Sequence, residues 1–384
     1  MQRREFIRII GATGSSLTLP IILGACGHAG TIGKHKTTPE NRSEDIRLRL
    51  ISYAILAPNA HNKQPWLIKL QSKQGFLLYV DQERLLPETD PQARQIHISQ
   101  GTFIEHLDIA AKQFGYRLEI NYFPQGMYAN NVIENKAVAA FRLHRDHTIQ
   151  PDPLFAHVVA RHSNKRIYDD TAIENSILDD LSTMPLTGET QLQLSNRQRD
   201  LQTLPGLMSR AMAIEVSNHH RHMETIKMFR FNDEEVKRYR DGFGIGQTGK
   251  SGFSKWLIES LFISRNDASQ PGSAFIQQSI DLTKQQAGSA RAFGWLTTKG
   301  NERLTQVVSG RNYARMNLHT HAIGLAIHPM SQILEEYEDM ATLKEEFYQY
   351  LKVPKSHTLQ MLFRIGYAKP VEHTPRRNIN ALLI

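Results

Sequence analysis

The stretch GTFIEHLDIAAKQFG, from Gly101 to Gly115, is enclosed by two glycines and followed directly by YRLEINYF, residues 116–123. Its apolar residues recur at intervals of three and four, which is typical of an amphipathic helix. The apolar face of this helix consists of Phe103, Leu107, Ala110, Ala111 and Phe114. The residues that follow alternate between apolar and polar, so the stretch predicts one helix and then one strand.

A second stretch, GRNYARMNLHTHAIG, runs from Gly310 to Gly324 with its two glycines at the same spacing. Tyr313, Met316 and Ile323 stand in the matching phase, and the strand-like segments LAIHPM and LQMLFRIGYA follow. A unit that recurs in this way predicts two related halves fused in one chain. The alternation of helices and strands predicts an α+β fold.

The remaining sequence divides around these two units. We assign residues 45–150 to a first half, which opens with a helix from Asp45 and the strands WLIKL and GFLLYVD. Residues 151–384 form the second half. Within it, roughly residues 200–300 are irregular and partly rich in Gly, Ser and Asn, which predicts an insertion or lid.

An export signal is predicted at the N-terminus. Residues 1–26 start with the basic stretch RREFIR and continue with an uncharged segment that is too short and too weakly apolar to span a bilayer. The pattern resembles a twin-arginine signal, which implies a location on the periplasmic side of a bacterial membrane. Residues 27–44 are polar and predict a flexible tether.

The signal ends in LGAC, and its Cys26 is the only cysteine of the chain. LGAC is similar to a bacterial lipobox, so we expect Cys26 to carry a lipid anchor. An ordinary cysteine beside a conventional cleavage site is the alternative. In either case no second cysteine is present for a disulfide or a thiolate metal site.

The charge of the chain does not indicate a nucleic-acid partner. The net charge is +8, but the basic residues are scattered among acidic ones and form no stripe with aromatic residues. The composition is 40% hydrophobic and 22% charged, which is typical of a globular protein and excludes disorder over most of the length.

The stretch GIGQTGKS, Gly244 to Ser251, matches the pattern of a nucleotide phosphate-binding loop. Such a loop needs a buried strand before it, whereas the charged run NDEEVKRYRDGF precedes Gly244. We therefore interpret this stretch as part of a flexible lid.

Three segments carry groups suited to chemistry: APNAHNKQPW (Ala57–Trp66), RHSNKRIYDD (Arg161–Asp170) and the tail HTPRRN. Arg161, Ser163 and Lys165 alternate along what reads as the entry to a helix, where they could bind a phosphate or simply be solvated. Asn62 and Gln64 could bind the edge of a planar heterocycle or could cap a turn.

The stretch NHHRHMET places His219 and His222 near one another on a helix, with His220 and Glu224 one turn apart. A metal site is geometrically possible there, but the spacing matches no known signature and a solvated helix face is the simpler interpretation. We predict no metal.

Together the three segments resemble the flavin-binding motifs of the nitroreductase family, and the chain looks most like its Acg-like branch. The resemblance covers nearly all of residues 45–384 and includes GLAIHPMSQIL and LFRIGYAKP. In this family two αβ subunits dimerise and bind FMN at their interface. Here the A-P-x-x-x-N-x-Q-P-W loop occurs only in the first half and the R-x-S-x-K motif only in the second. The resemblance therefore implies a nitroreductase-like fold, an internal pseudo-dimer in a monomeric chain, and one FMN site.

The resemblance also implies roles for individual residues. Arg161 and Ser163 would bind the FMN phosphate with Arg376 or Arg377, and Lys165 would lie near the pyrimidine edge and stabilise the reduced flavin. Asn59 departs from the family's usual Ser, and Ser331-Gln332 replaces Glu-Gly or Gly-Gly. The remaining residues expected to line the ring are Pro58, Asn59, Ala60, Asn62, Gln64, Pro329, Met330 and Ser331.

We expect an FMN-dependent oxidoreductase that transfers hydride from NAD(P)H to a nitroaromatic or quinone-like acceptor. Donor and acceptor would use the same pocket in turn, so no separate dinucleotide motif is required. An exported protein that binds and sequesters FMN without turnover is the main alternative. A structural lipoprotein without cofactor is a third.

Overall fold

The computed structural model describes residues 44–250, residue 255 and residues 264–384. The predicted signal, the lipidation site at Cys26 and all but the last residue of the tether lie outside the described residues. Among the described helices, none is both long and apolar enough to cross a bilayer.

Ten strands are present in the described part of the chain. They are β1 (Trp66–Leu70), β2 (Gly75–Val80), β3 (Tyr116–Tyr122), β4 (Ala139–Arg145), β5 (Thr190–Ser195), β6 (Phe229–Arg230), β7 (Phe243–Gly244), β8 (Ala292–Lys299), β9 (Ala326–Pro329) and β10 (His357–Gly366).

The described α-helices alternate with these strands. They are α1 (Ile46–Ala54), α2 (Arg94–Gln113), α3 (Asn175–Ser182), α4 (Gln198–Ser217), α5 (His219–Met228), α6 (Asp233–Tyr239), α7 (Arg265–Ala268), α8 (Ala274–Gly288), α9 (Arg303–Ala322) and α10 (Ala341–Leu351). The mixture confirms the predicted α+β class.

The two four-stranded sheets have the same topology. The order is β1-β2-β4-β3 in the first and β5-β8-β10-β9 in the second, and all neighbouring pairs are antiparallel. In each half a 20-residue helix, α2 or α9, connects the second and third strands in chain order. The repeat seen in the sequence therefore corresponds to two copies of one structural unit, as predicted.

The helices α2 and α9 pack against each other at a close approach between two glycines. A Cβ atom on Gly101 would lie 1.8 Å from the Val307 carbonyl oxygen, and one on Gly310 would lie 1.9 Å from the Ile98 carbonyl oxygen. These reciprocal contacts explain why both helices need glycine at this position. They also place the two halves back to back across a single helix pair.

Ion pairs flank the glycine contact and join the halves. The Arg311 and Arg315 guanidinium groups of α9 donate to the buried Glu105 carboxylate of α2 at 2.6 and 2.7 Å. Arg315 also pairs with Asp152 at 2.9 Å. Because the two cations share one buried carboxylate, the crossing is fixed by charge as well as by shape.

The insertion lies between β5 and β8, where the first half has only the short turn between β1 and β2. Part of the stretch expected to be irregular belongs to the second half's core. Helix α4 contributes to the same apolar cluster as Trp295 of β8, through Leu204, Leu207, Met208 and Ala211. A smaller apolar cluster holds Ile226, Phe229, Phe231, Ile245 and Ala268 together.

Candidate functional site

Four segments of the chain converge beside the helix pair. Gln64 Nε2 donates to the Arg240 carbonyl at 2.8 Å, its Oε1 accepts from the Arg377 amide at 2.7 Å, and the Lys165 amide donates to the Gln247 carbonyl at 3.1 Å. The converging segments are residues 57–66, 161–166, 240–249 and 372–377. Three of these segments are the ones singled out in the sequence. The other one, residues 240–249, belongs to the predicted lid, and sequence analysis did not assign it to the site.

The loop of residues 57–66 has a strained backbone. His61, Asn62 and Gln64 all have positive φ angles, of 50°, 52° and 52°. Non-glycine residues adopt this region rarely. Each such residue costs about 1 kcal/mol or more and keeps this conformation only where its surroundings impose it. Concentrated strain of this kind is characteristic of functional loops.

Hydrogen bonds to the loop impose this conformation. The Asn59 side-chain oxygen accepts from the Gln64 amide at 2.8 Å, and the Ala60 amide donates to Ser99 Oγ of α2 at 3.1 Å. Thr102 Oγ1 donates to the Pro58 carbonyl at 2.5 Å. Pro58, Asn59 and Ala60 are thus held directly against the helix pair, and Trp66 is fully buried.

The segment from Arg161 to Lys165 is not a helix entry, so that prediction was wrong. No regular element occurs there, and the next helix, α3, begins only at Asn175. Asn164 explains the difference, because its amide donates to the Ile327 carbonyl of β9 at 3.1 Å and its side chain to the Lys369 carbonyl at 2.9 Å. These long-range bonds hold the segment in an extended form.

Arg161 and Arg376 lie side by side with no carboxylate between them. Nη2 of Arg161 and Nη2 of Arg376 both donate to the Leu56 carbonyl, at 3.0 and 3.2 Å. Arg161 is 6% exposed, and neither guanidinium forms an ion pair with any described residue. Burial lowers the pKa of Arg161 to about 10, and burial together with the Arg161 charge lowers that of Arg376 to about 9.

Neutral groups alone hold these guanidiniums in place. Arg161 Nη1 donates to Asn317 Oδ1 at 3.2 Å, and Arg376 Nη1 donates to Asn62 Oδ1 at 2.6 Å. The Nε of Arg161 is buried and forms no hydrogen bond within the described residues. Arg376 also donates to the Ile55 carbonyl at 2.8 Å and to Thr374 Oγ1 at 2.7 Å, so its donors are engaged although no described carboxylate pairs with its charge. Two adjacent cations of this kind can attract an anion.

His106 of α2 is a third basic group at this place. It is fully buried, and neither ring nitrogen forms a hydrogen bond within the described residues. Burial lowers its pKa far below the usual value, and the charges of Arg161 and Arg376 lower it further. The carbonyl of Tyr53 opposes this shift without reaching hydrogen-bonding geometry. His106 thus adds a buried imidazole, without a hydrogen bond to a described residue, to the surroundings of the two guanidinium groups.

Arg377 differs from its neighbour because it is already paired. Its Nη1 contacts the buried carboxylate of Asp81 at 3.0 Å and the Gln64 carbonyl at 3.1 Å. Its Nη2 donates to the Ala381 carbonyl at 2.7 Å. Arg377 and Gln64 therefore tie the tail to the loop, whereas Arg376 faces Arg161.

Lys165 contacts the insertion. Its Nζ lies 4.2 Å from the centroid of the Phe243 ring, a cation–π contact, and the His61 ring packs edge-on against the same Phe243 at 5.4 Å. Burial lowers the pKa of Lys165 to about 8, so the ammonium still carries its proton at pH 7. Phe243 is thus in contact with the first-half loop and the second-half lysine at once.

Of the other predicted residues, Pro329, Met330 and Ser331 are engaged with β10, whereas Ser163 is not. Ser163 is partly buried and forms no hydrogen bond within the described residues. The Met330 amide donates to the Leu362 carbonyl at 2.8 Å, and Ser331 Oγ bonds the same residue at 3.3 Å. Pro329 ends β9 and pairs with β10.

In the loop GIGQTGK, two backbone amides form hydrogen bonds with acceptors of the loop itself. The Gly244 amide donates to Gln247 Oε1 at 2.7 Å, and the Gly249 amide donates to the Gly246 carbonyl at 3.1 Å. The strand before it, β7, is two residues long. This agrees with the interpretation that the stretch is not a nucleotide phosphate loop.

In the NHHRHMET stretch, His222 and Glu224 contact different partners and do not converge on a common metal position. His222 Nε2 bonds the Ala268 carbonyl at 2.8 Å, and Glu224 accepts from Thr89. Across the described ranges, no cluster of three or more His, Cys, Asp or Glu residues has metal-binding geometry.

Sequence analysis missed His106, Asn317 and Phe243. The first two carried a signal, because each interrupts the apolar face of its helix: His106 lies one turn from Phe103 and Asn317 one turn from Tyr313. Phe243 had no such signal, since its contacts span long sequence distances.

The chain is similar over nearly its whole length to a curated protein of Mycobacterium tuberculosis strain H37Rv that is provisionally named an NAD(P)H nitroreductase. The two are 23% identical over 350 residues, which is 89% of this chain and 91% of the relative. An uncharacterised protein of the same strain is 26% identical over 147 residues, 34% of this chain and 43% of that protein. No protein-family model matches the chain.

Among solved structures, the chain is similar to a nitroreductase with bound FMN from Bacteroides fragilis, at 14% identity and a TM-score of 0.33. That match covers 59% of this chain and 95% of the other. An FMN-dependent nitroreductase from Mycobacterium smegmatis in complex with NADPH gives 15% identity and a TM-score of 0.37, covering 58% and 92%.

Proposed function

We propose that this protein is an FMN-binding oxidoreductase of the nitroreductase type, with the phosphate of FMN held between Arg161 and Arg376. The observation that carries the proposal is the pair of guanidinium groups that share the Leu56 carbonyl without a carboxylate partner. A phosphate would offset the charge of both guanidinium groups and could accept a hydrogen bond from Arg161 Nε, which forms none within the described residues. His106, with two free ring nitrogens, would add a donor from the first half.

The flavin ring would be lined from both halves. Pro58, Asn59, Ala60 and Asn62 would contribute from the loop, whose strained backbone fixes their positions. Lys165 would place a positive charge beside the ring, since its ammonium keeps its proton at neutral pH. Bound FMN would supply hydride transfer between donor and acceptor.

The resemblance suggests a further part for three residues near Lys165. Pro329, Met330 and Ser331 would line the ring with backbone and side-chain surface. The Met330 amide and the Ser331 hydroxyl are already bonded to Leu362, so these two residues would contribute mainly van der Waals contact. Ser163 remains a proposed phosphate ligand.

NAD(P)H is the proposed electron donor, supported by the name of the full-length Mycobacterium tuberculosis relative. A nitroaromatic or quinone-like compound is the proposed acceptor, because planar electron-poor rings suit the same pocket in turn. We further propose that the chain belongs to the Acg-like branch of the family.

The test is a visible absorption spectrum of the protein purified without residues 1–26. We expect oxidised-flavin bands at about one FMN per chain, bleached by NAD(P)H and restored by a quinone or nitroaromatic acceptor. A colourless protein that takes up no added FMN would contradict the proposal.

One observation favours FMN sequestration as a second candidate function. Phe243 of the insertion contacts both His61 and Lys165, so the insertion covers the space next to the proposed ring site. If it blocks the donor, the flavin of the wild-type protein will be reduced by dithionite but not by NAD(P)H. In Phe243→Ala the bound flavin should then become reducible by NAD(P)H. In Phe76→Ala, which truncates a phenylalanine in the core of the first half, the flavin should stay resistant to NAD(P)H. If wild type and Phe243→Ala are reduced by NAD(P)H equally fast, sequestration by this residue is wrong.

We also propose export by a twin-arginine pathway, a lipid anchor on Cys26 and a monomeric state. The basic stretch and LGAC in the sequence support the first two, and the internal pair of halves supports the third. Mass spectrometry of the mature N-terminus tests the lipid, and light scattering of the soluble chain tests the monomer.

A further inference from the structure

Four histidine rings form a continuous row beside the two guanidinium groups. The ring centroids of His157 and His321 are 5.6 Å apart, those of His321 and His162 are 5.8 Å apart, and those of His162 and His373 are 5.5 Å apart. We call these four residues the histidine row. They come from a short turn after Asp152, the end of α9, the Arg161 segment and the tail, so the row exists only in the folded chain.

The charged side chains that act on His162, His321 and His373 are basic. Burial lowers the pKa of His321 to about 4, and His162, His157 and Arg161 lower it further. Burial likewise lowers the pKa of His373 to about 4, with the same sign of effect from His162, Arg161 and Arg376.

His162 experiences the same environment. Burial lowers its pKa, and the charges of Arg161 and Arg166 lower it further, while its bond to the Ala160 carbonyl opposes the shift. The groups that face it from other elements are the rings of His321 and His373. Burial and the neighbouring cations therefore disfavour the protonated form of His162, His321 and His373.

The hydrogen bond of His162 determines how it can bind an anion. Its Nδ1 lies 3.0 Å from the Ala160 carbonyl, and because a carbonyl only accepts, Nδ1 must carry the proton. In the neutral ring Nε2 then holds a lone pair and repels an anion. Nε2 can donate to an anion only after the ring has taken up a second proton.

We propose that the histidine row is the outer part of the anion site, and that His162 binds a phosphate monoester together with one proton. The proposal rests on the proposed function, because it places the phosphate at Arg161 and Arg376. A dianion there cancels the charges that keep the row neutral and gives Nε2 an acceptor. The proton comes from solvent and stays on the imidazole, so no bond to phosphorus forms or breaks.

The proposal is tested by calorimetric titration of FMN into the soluble full chain at pH 7.5, in two buffers of different ionisation enthalpy. At this pH free FMN is mainly a dianion, since its second pKa is about 6. We expect uptake of about one proton per FMN, and FMN binding that tightens by up to about tenfold per pH unit between pH 8 and 7. Riboflavin, which lacks the phosphate, should bind without proton uptake.

The decisive variant is His162→Gln, which keeps a hydrogen bond to Ala160 but cannot take up a proton. We expect most of the proton uptake to be lost while riboflavin affinity is unchanged. His373→Gln serves as a second variant and should reduce uptake less. His147→Gln, at an exposed position in the chain before the row, is the matched control and should leave uptake unchanged.

The failure of this proposal is distinguishable from that of the proposed function. FMN binding without proton uptake, or uptake that persists in His162→Gln, overturns the role of the row and leaves the flavin site standing. If neither FMN nor riboflavin binds, the flavin proposal fails, and titration with inorganic pyrophosphate then tests anion binding by the histidine row by itself. Pyrophosphate binding with a proton uptake that depends on His162 supports the role of the row. The absence of such binding or uptake overturns that role.

Discussion

Nη2 of Arg161 and Nη2 of Arg376 donate to one main-chain oxygen, that of Leu56, at 3.0 and 3.2 Å. The two nitrogens are therefore no more than about 6 Å apart, and two unit charges at about 6 Å repel by about 3 kcal/mol at an effective dielectric constant of about 20. A bound phosphate would offset this repulsion, as the proposed FMN site requires.

Replacing Arg161 should therefore separate stability from ligand binding. In Arg161→Gln the repulsion disappears, so the melting temperature of the FMN-free protein should stay the same or rise. FMN affinity should fall by about 10- to 100-fold, because a hydrogen bond to a charged group contributes about 1.5–3 kcal/mol. Fluorescence titration with FMN and riboflavin measures the effect, and riboflavin affinity should not change.

A surface arginine provides the control for this variant. Arg210→Gln removes an exposed ion pair with Glu346 and should alter neither affinity. An Arg161→Gln protein that lost FMN and riboflavin affinity equally would show that Arg161 supports the ring and not the phosphate.

The neighbouring residues Arg376 and Arg377 should respond in opposite ways. Arg377→Gln leaves the buried Asp81 carboxylate with only its longer contact to Arg84, at 3.5 Å, and should lower the free energy of unfolding by about 1–3 kcal/mol. Arg376→Gln removes a cation that has no carboxylate partner and should mainly weaken FMN binding. Urea unfolding and FMN titration of both variants give the comparison. Loss of FMN affinity only in Arg377→Gln would reverse the assignment.

The glycine contact between α2 and α9 gives a prediction about the fold. Gly101→Ala or Gly310→Ala would place a methyl group less than 2 Å from a backbone carbonyl oxygen of the opposite helix. The helices must separate, and we expect a loss of about 3 kcal/mol in the free energy of unfolding. Gly206→Ala is the matched control, since Gly206 lies within α4 with no atom near its Cβ position. It should gain up to about 1 kcal/mol from helix propensity.

Urea unfolding at neutral pH distinguishes these variants. If Gly101→Ala were as stable as Gly206→Ala, the helices would not approach as closely as described. Because the contact joins the two halves, both halves should lose structure in one transition.

The same glycines show what the sequence could predict. Equal spacing of glycines in GTFIEHLDIAAKQFG and GRNYARMNLHTHAIG was sufficient to predict two related units, since a packing requirement leaves a local trace in each copy. The identical strand order of the two sheets confirms it. Strands such as Trp66–Leu70 and Tyr116–Tyr122 were predicted for the same reason, because alternation is a local property.

Features that depend on distant contacts were not predictable. The extended form of the Arg161 segment is imposed by the bonds of Asn164 to Ile327 and Lys369, which no local pattern encodes. The contact of Phe243 with Lys165 joins residues that are 78 positions apart in the chain. Asp81 pairs with Arg377 and not with the adjacent Arg376, and this choice likewise depends on tertiary structure.

The buried histidines predict how stability depends on pH, and His97 gives the clearest case. It is fully buried, bonded to the Ala93 carbonyl and to Tyr128 Oη, and burial with the Arg303 charge lowers its pKa to about 3. In the unfolded chain its pKa is near 6.5, so below that pH the unfolded state binds a proton that the folded state does not. Stability should therefore fall as pH decreases from about 6.5 towards 3, by up to about 1.4 kcal/mol per pH unit for this residue.

Replacing His97 should make this dependence shallower. His97→Gln loses packing and is less stable overall, but the slope of the free energy of unfolding between pH 6.5 and 5 should decrease by about one proton equivalent. Urea unfolding at several pH values gives the slope independently of the absolute stability. His144→Gln is the control, because this histidine contacts Glu119 on the exposed surface, at 2.6 Å. An unchanged slope in His97→Gln would mean that His97 accepts a proton in the folded protein, which would contradict its isolation from water.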